Sequence, residues 1–222
     1  MRKKIIESFK QPLLKKNLFD LVIGSIFMFF PFINFISLGY IYEKLRGGII
    51  LEKTKLKWDE NFKNYFIKGF YLTVLFLGYL FIPLIFLLLG IVFISILSGG
   101  KIVSLFLFRG VVLIIFSTFS FLISLYFLLF GICVYIEENS LKAGFSLQKI
   151  LDRILLIPKE YTIIYIIIVG LLLFSIFALT LLFNWITGLL FSPFLFFYDL
   201  LVISNLLIKF YPRKEVKIQL PF

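Results

Sequence analysis

The sequence predicts an all-α fold, a polytopic helical bundle integral to a membrane. Apolar residues make up 61% of its 222 positions and charged ones only 16%. Four apolar runs reach or exceed the ~20 residues that a helix needs to cross hydrocarbon, and the charges gather in short islands between the runs. No water-soluble core of this size requires such runs.

The first 17 residues carry six bases, Arg2, Lys3, Lys4, Lys10, Lys15 and Lys16. They lack the short apolar stretch and small-residue cleavage site of a secretory signal. This segment reads as retained, cytoplasmic and interfacial, with Ile5, Ile6, Phe9, Leu13 and Leu14 lying on the bilayer.

Residues 18–208 form one transmembrane domain. Its convincing spans are 69–97, 102–136, 161–183 and 185–208, and the first two are long enough that they must tilt, kink at Pro83 or project beyond the hydrocarbon. Gly99-Gly100-Lys101 separates the first pair and the stretch Asn184 to Gly188 the second. The remaining apolar segment, 18–42, is long enough to cross once but carries a helix break at Pro31 and Asn34. Charge distribution weighs on that choice. If 18–42 crosses, the bases divide eight against fifteen; if it enters and leaves on one side, they divide twenty-one against two. The positive-inside rule favours the second split and a re-entrant segment, while 25 mostly apolar residues ordinarily cross, so both readings stand.

Two polar connections lie on the cytoplasmic side of the re-entrant arrangement. In 43–68, Asp59 occupies a helix-cap position ahead of Phe62, Tyr65, Phe66, Gly69 and Phe70, whose spacing makes an amphipathic turn leading into a span. Trp58 and Tyr65 suit the headgroup level. In 137–160, Lys142, Lys149 and Arg153 share a narrow arc of one helix and Leu141, Gly144, Leu147, Leu151, Ile154 and Leu155 cover the rest. Such a helix lies in the membrane surface, and its three bases are candidates for contact with anionic lipid headgroups. A basic tail, 209–222, ends the chain in the cytoplasm.

These residues carry a resemblance. GYIYEKLRGG at 39–48 and LKWDENFKNYFIKGF at 56–70, with LKAGFSLQKILDRI at 141–154 and FSPFLFFYDLLVISNLL at 191–207, resemble DUF4013, a family of prokaryotic multi-pass membrane proteins of unknown function. The likeness covers roughly 18–210. It implies an integral protein of the cytoplasmic membrane of an archaeon or bacterium, and it brings no catalytic residue or ligand with it. Asp199 departs from the apolar last span usual in that family.

Composition removes much chemistry. The chain has no His and a single Cys, so histidine-ligated metal, thiolate clusters and internal disulfides are outside its means. It also lacks P-loop, GxGxxG and HExxH patterns and a pair of interior acids. It reads as a non-enzyme with no cofactor. The net charge of +11 belongs to membrane topology, so the partner is the lipid bilayer and not nucleic acid.

Asp199 is the sharpest anomaly. A carboxylate well inside a span costs several kcal/mol unless it is neutral, paired or wetted. Arg109 is the second candidate intramembrane charge and partners Asp199 by sign, although their depths differ. Ser117, Ser120, Ser124 and Gly131 form a small-residue stripe for helix packing. Asn34, Asn184 and Asn205 are candidate interhelical hydrogen bonders, and Cys133 is a small buried apolar residue. Two functions fit: a transport-associated protein or membrane subunit of a transport complex, and a non-catalytic organiser that binds other membrane proteins or lipids. With so few spans, transport calls for a homo-oligomer or a heteromeric membrane partner.

Overall fold

Long helices dominate because backbone groups in hydrocarbon have no water to bond to, so a single chain crossing it must satisfy them within each segment. The computed structural model describes residues 1–50, 58, 62–96, 103–181 and 185–212. Among these residues the elements are all helical: α1 (Arg2–Lys10), a single 3-10 turn (Gln11–Leu13), α2 (Lys15–Phe29), α3 (Asn34–Ile50), α4 (Phe62–Ile96), α5 (Val103–Glu138), α6 (Leu141–Gly144), α7 (Leu147–Leu156), α8 (Pro158–Leu181) and α9 (Trp185–Phe210). Four of them, α4, α5, α8 and α9, are long and apolar enough to cross a membrane. The Gly99-Gly100-Lys101 break, Asp59 and Asn184 lie outside the described residues.

Residues 18–42 do not make one helix. The chain breaks at Phe30–Ile33, where Phe32 takes a φ of 70°, and α3 folds back against α2. The Ser37 hydroxyl donates to the Gly24 carbonyl at 2.8 Å, and Asp20 faces Tyr40 further from the turn. At 1.5 Å per residue, α2 and α3 extend about 22 and about 25 Å, short of a ~30 Å hydrocarbon layer.

The hairpin lies along the beginning of α4. Added Cβ atoms at Gly39 and Gly69 would run into the carbonyl oxygens of Tyr65 and Phe35, so the two helices cross in backbone contact. Phe35 also packs its ring on Phe66 and Phe70, at 5.4 and 5.8 Å between centroids. The tip therefore ends alongside the first third of α4, which runs on through Pro83 to Ile96.

Trp58 and Tyr65, expected at the headgroup level, are buried within the chain. Trp58 stacks on Tyr40 at 4.2 Å and donates its indole N–H to Asp20 at 2.9 Å. The Asp20 carboxylate gives the indole an acceptor inside the chain, so it has no need of the water interface.

α5 packs along α4 through small residues at heptad spacing. Gly110 approaches the Gly90 backbone, the Ser117 hydroxyl donates to the Pro83 carbonyl at 2.9 Å, and Gly131 faces Tyr79 and Gly144. Ser124, half-buried, completes the interval, while the Ser120 hydroxyl turns back to Ser117 of its own helix. Gly110 extends the predicted stripe by one heptad.

The segment after α5 is two helices rather than the single one its sequence suggests. Tyr79 donates to the Gly144 carbonyl at 2.8 Å and Phe145 stacks on the Tyr79 ring, so that carbonyl serves α4 and the chain restarts at Ser146. α7 then buries Ile150 and Ile154, while Leu147, Leu151 and Leu155 are exposed.

One end of the bundle collects the polar segments. Asn139, after α5, meets Tyr42 of α3 and Lys68 of α4. Tyr211, after α9, donates to Glu137 at 2.8 Å. α1 lies on the last turns of α9, where Lys209 reaches Glu7 and Asn205 donates to the Ser8 carbonyl. The N-terminal helix and the start of α4 thus share an end, an arrangement that an even number of crossings produces.

Candidate functional site

α9 is the most enclosed of the four long helices. Of its most apolar window 44% is buried within the chain, against 11–17% for α4, α5 and α8. Its two sides differ. Phe197 packs against Gly24 of the hairpin, and Asp199, 200° round the helix from Phe197, faces away toward α8.

α8 stands off from α5 on tyrosine side chains. The Tyr165 hydroxyl donates to the Leu122 carbonyl at 2.8 Å and Tyr161 donates to the Tyr126 carbonyl. Their rings meet Tyr126 edge-on, at 5.1 and 4.8 Å. A phenol spans a wider gap than an aliphatic contact, so the helices are linked without closing on each other. Beyond this brace, α4, α5, α8 and α9 enclose a chamber of about 510 Å³.

Among the described residues, the chamber lining is apolar apart from Asp199, Ser175 and Thr118. Thr118 bonds the Ile114 carbonyl of its own helix. Asp199 is 2% exposed, and neither carboxylate oxygen accepts a hydrogen bond. The Ser175 hydroxyl stands beside it without completing one. Within the span Phe191–Phe210, Asp199 is about 12 Å from one end and about 16 Å from the other, close to mid-depth. The mouth is lined by Phe121, Leu173, Ile176 and Phe196, all exposed on the apolar flank of the bundle.

The predicted partner is elsewhere. Arg109 is exposed at the start of the apolar window of α5, and with both Asp199 oxygens unbonded it does not neutralise the acid through a hydrogen bond. Asn205 bonds α1, Asn34 leaves its buried side-chain oxygen unbonded at the start of α3, Pro31 is exposed in the turn, and Cys133 is fully buried. Lys142 is exposed. The other two predicted headgroup bases face α5: Arg153 forms a double hydrogen bond to Glu137 at 2.7 and 2.8 Å, and Lys149 pairs with Glu138 at 2.5 Å.

Sequence reasoning singled out Asp199 but did not indicate the chamber beside it. The lining residues Val169, Leu172 and Leu179 of α8 come from a helix apolar on every face, so nothing in the sequence distinguishes chamber-lining positions from lipid-facing ones. Tyr161 and Tyr165, one turn apart at the start of that helix, are the available signal. Among the described residues no group of three or more His, Cys, Asp or Glu side chains could hold a metal ion.

A family model matches residues 23–184. The chain belongs to DUF4013, described as a protein of unknown function. The DUF4013 match takes in most of the hairpin and α4 through α8, and it stops before α9, a narrower reach than the 18–210 of the resemblance. Asp199 therefore lies outside the matched region. No curated protein and no solved structure matches the chain.

Proposed function

We propose that this integral membrane protein is transport-associated, acting as a homo-oligomer or as a membrane subunit beside a partner, with Asp199 as its working group. The observation that carries the reading is the Asp199 carboxylate itself, buried near mid-span with both oxygens unbonded on the wall of an open chamber. A packing acid would be expected to close its hydrogen bonds; an acid that binds a transported proton or cation keeps them available.

On this reading the protein sits in the cell membrane with both termini in the cytoplasm. By sequence, a folded-back 18–42 puts twenty-one of the 23 bases on one side, and the positive-inside rule assigns that side to the cytoplasm. The 18–42 hairpin is then re-entrant, shielded by α4 and α9. α7 lies in the membrane surface with its exposed leucines in the bilayer, and Lys142 of α6 faces anionic headgroups.

The test is ion flux, under an imposed proton or cation gradient, in proteoliposomes of the gently extracted protein together with any membrane partner that copurifies. The native chain should relax the gradient and Asp199→Asn should slow it at least about tenfold with helical content unchanged. Equal flux through both, or none through the native chain, contradicts the reading.

A second reading, the non-catalytic membrane organiser, is favoured by the exposed strip of Leu147, Leu151 and Leu155, one helical turn apart on α7. It predicts a stoichiometric membrane partner on gentle extraction and indifference to Asp199→Asn.

A further inference from the structure

We infer that the chamber among α4, α5, α8 and α9 binds a lipophilic amine drawn sideways from the bilayer, with its ammonium group on Asp199 and its hydrocarbon along α8. The inference rests on the proposal that Asp199 is the working group, and it names the class of molecule that group takes.

Three observations carry it. First, the chamber's volume, about 510 Å³, falls within the ~300–1,000 Å³ typical of sites for small organic molecules, and its walls are almost wholly apolar. Among the described residues an inorganic cation would find only the Ser175 hydroxyl as a second ligand there. Ser175 and Thr118 are the other polar side chains on the walls, and Thr118 already bonds its own helix.

Second, the one charged side chain among the described lining residues has two buried acceptor oxygens that no group in the chain fills. An ionised carboxylate away from water is stabilised by a cation that also donates hydrogen bonds. Arg109 does not bond it, and no ion pair to Asp199 occurs among the described residues. A primary ammonium supplies both the charge and up to three donors.

Third, the mouth opens on the lipid-facing flank. Phe121, Leu173, Ile176 and Phe196 line it, with exposures from 40 to 61%. A molecule already dissolved in the bilayer reaches Asp199 by this route without crossing a polar barrier. Its tail exchanges lipid for protein walls at little cost, so the charge-assisted hydrogen bond decides which amphiphile stays.

The experiment is equilibrium binding of radiolabelled dodecylamine to the full chain in nanodiscs of zwitterionic lipid, corrected for partition into empty nanodiscs. Dodecanol serves as the uncharged comparison. The expected result is saturable dodecylamine binding, weakened at least about tenfold by Asp199→Asn, the loss of one hydrogen bond to a charged group. Leu173→Trp, a change at the exposed mouth that leaves the carboxylate in place, should also weaken it, so the test survives if the Asp199 variant fails to fold. Dodecanol should bind more weakly and ignore Asp199→Asn. Binding that never saturates, that is equal in a folded Asp199→Asn chain, or that dodecanol matches would overturn the inference. Asp199-dependent ion flux without amine binding would sink this inference alone. Amine binding without flux would sink the transport reading alone.

Discussion

The Ser37 hydroxyl and the Gly24 carbonyl, 2.8 Å apart, join α3 to α2 across the Phe30–Ile33 turn. The two residues are nearly equidistant from that turn, as an antiparallel hairpin requires. Further along, Asp20 reaches both Tyr40 and Lys44 with its field. The pairing lets the bases that precede the segment and those that follow it directly, Lys44 and Arg46, occupy one end of the molecule.

The hairpin predicts the sidedness of the connections. In a Cys133→Ala background, single cysteines replacing the exposed residues Lys15, Lys63 and Gln148 should all react with an impermeant thiol reagent from the same membrane face. Labelling of Lys15→Cys and Lys63→Cys from opposite faces would show that 18–42 crosses.

Backbone contact between α3 and α4 makes their glycines irreplaceable in a way that others are not. A Cβ at Gly39 or Gly69 meets carbonyl oxygens of the facing helix, whereas one at Gly170 meets nothing within 4 Å. Gly39→Ala or Gly69→Ala should destabilise by about 1–3 kcal/mol, the usual range for overpacking, or more. Gly170→Ala should be neutral or stabilising by up to about 1 kcal/mol through helix propensity. Thermal unfolding in detergent measures all three.

At the polar end, Glu137 takes two bonds from Arg153 and one from Tyr211. Arg153→Met leaves that carboxylate half-buried without its cation and should cost about 1–3 kcal/mol, with partial exposure keeping it below the figure for a fully buried pair. Arg153→Lys should recover only part, because the shorter side chain loses the guanidinium plane that lies 5.8 Å from the Tyr211 ring centre. Chemical denaturation of the three proteins provides the comparison.

Lys44 gives a pH dependence whose sign runs against the common pattern for a paired lysine. Burial pushes its ammonium down from 10.5 to about 8, with Asp20 resisting the shift. The charged form is therefore penalised in the folded chain, fully below about pH 8. That penalty is released as the pH rises from about 8 toward 10.5, so this group's contribution to stability increases through that window. Lys44→Met should flatten the increase, a difference that unfolding temperatures at about pH 7 and about pH 10 would reveal. A native slope unchanged by the substitution would refute it.

The sequence announces the four long helices because a run of some 20 apolar residues has few other uses. It also carries the hairpin turn at Pro31 and Asn34, and charge distribution favours the folded-back form. Other features depend on contacts between distant segments. Trp58 looks like an interfacial anchor until Asp20, 38 residues earlier, accepts its N–H. The break after Gly144 depends on the Tyr79 hydroxyl, 65 residues away. Arg153 and Lys149 read as candidates for lipid headgroups because Glu137 and Glu138 sit on another helix. Asp199 is conspicuous in the sequence because hydrocarbon penalises charge, but the chamber around it comes from how four nearly uniform apolar helices diverge.

Reaction of Asp199 with a lipid-soluble carbodiimide tests the central claim most directly. A carboxyl group that is buried, unbonded and reached from the bilayer should add dicyclohexylcarbodiimide in intact membranes, and peptide mass spectrometry should place one adduct on Asp199. A water-soluble carbodiimide should leave Asp199 unmodified. Absence of the adduct from folded protein, or equal modification by the water-soluble reagent, would contradict a lipid-accessible carboxyl at this position.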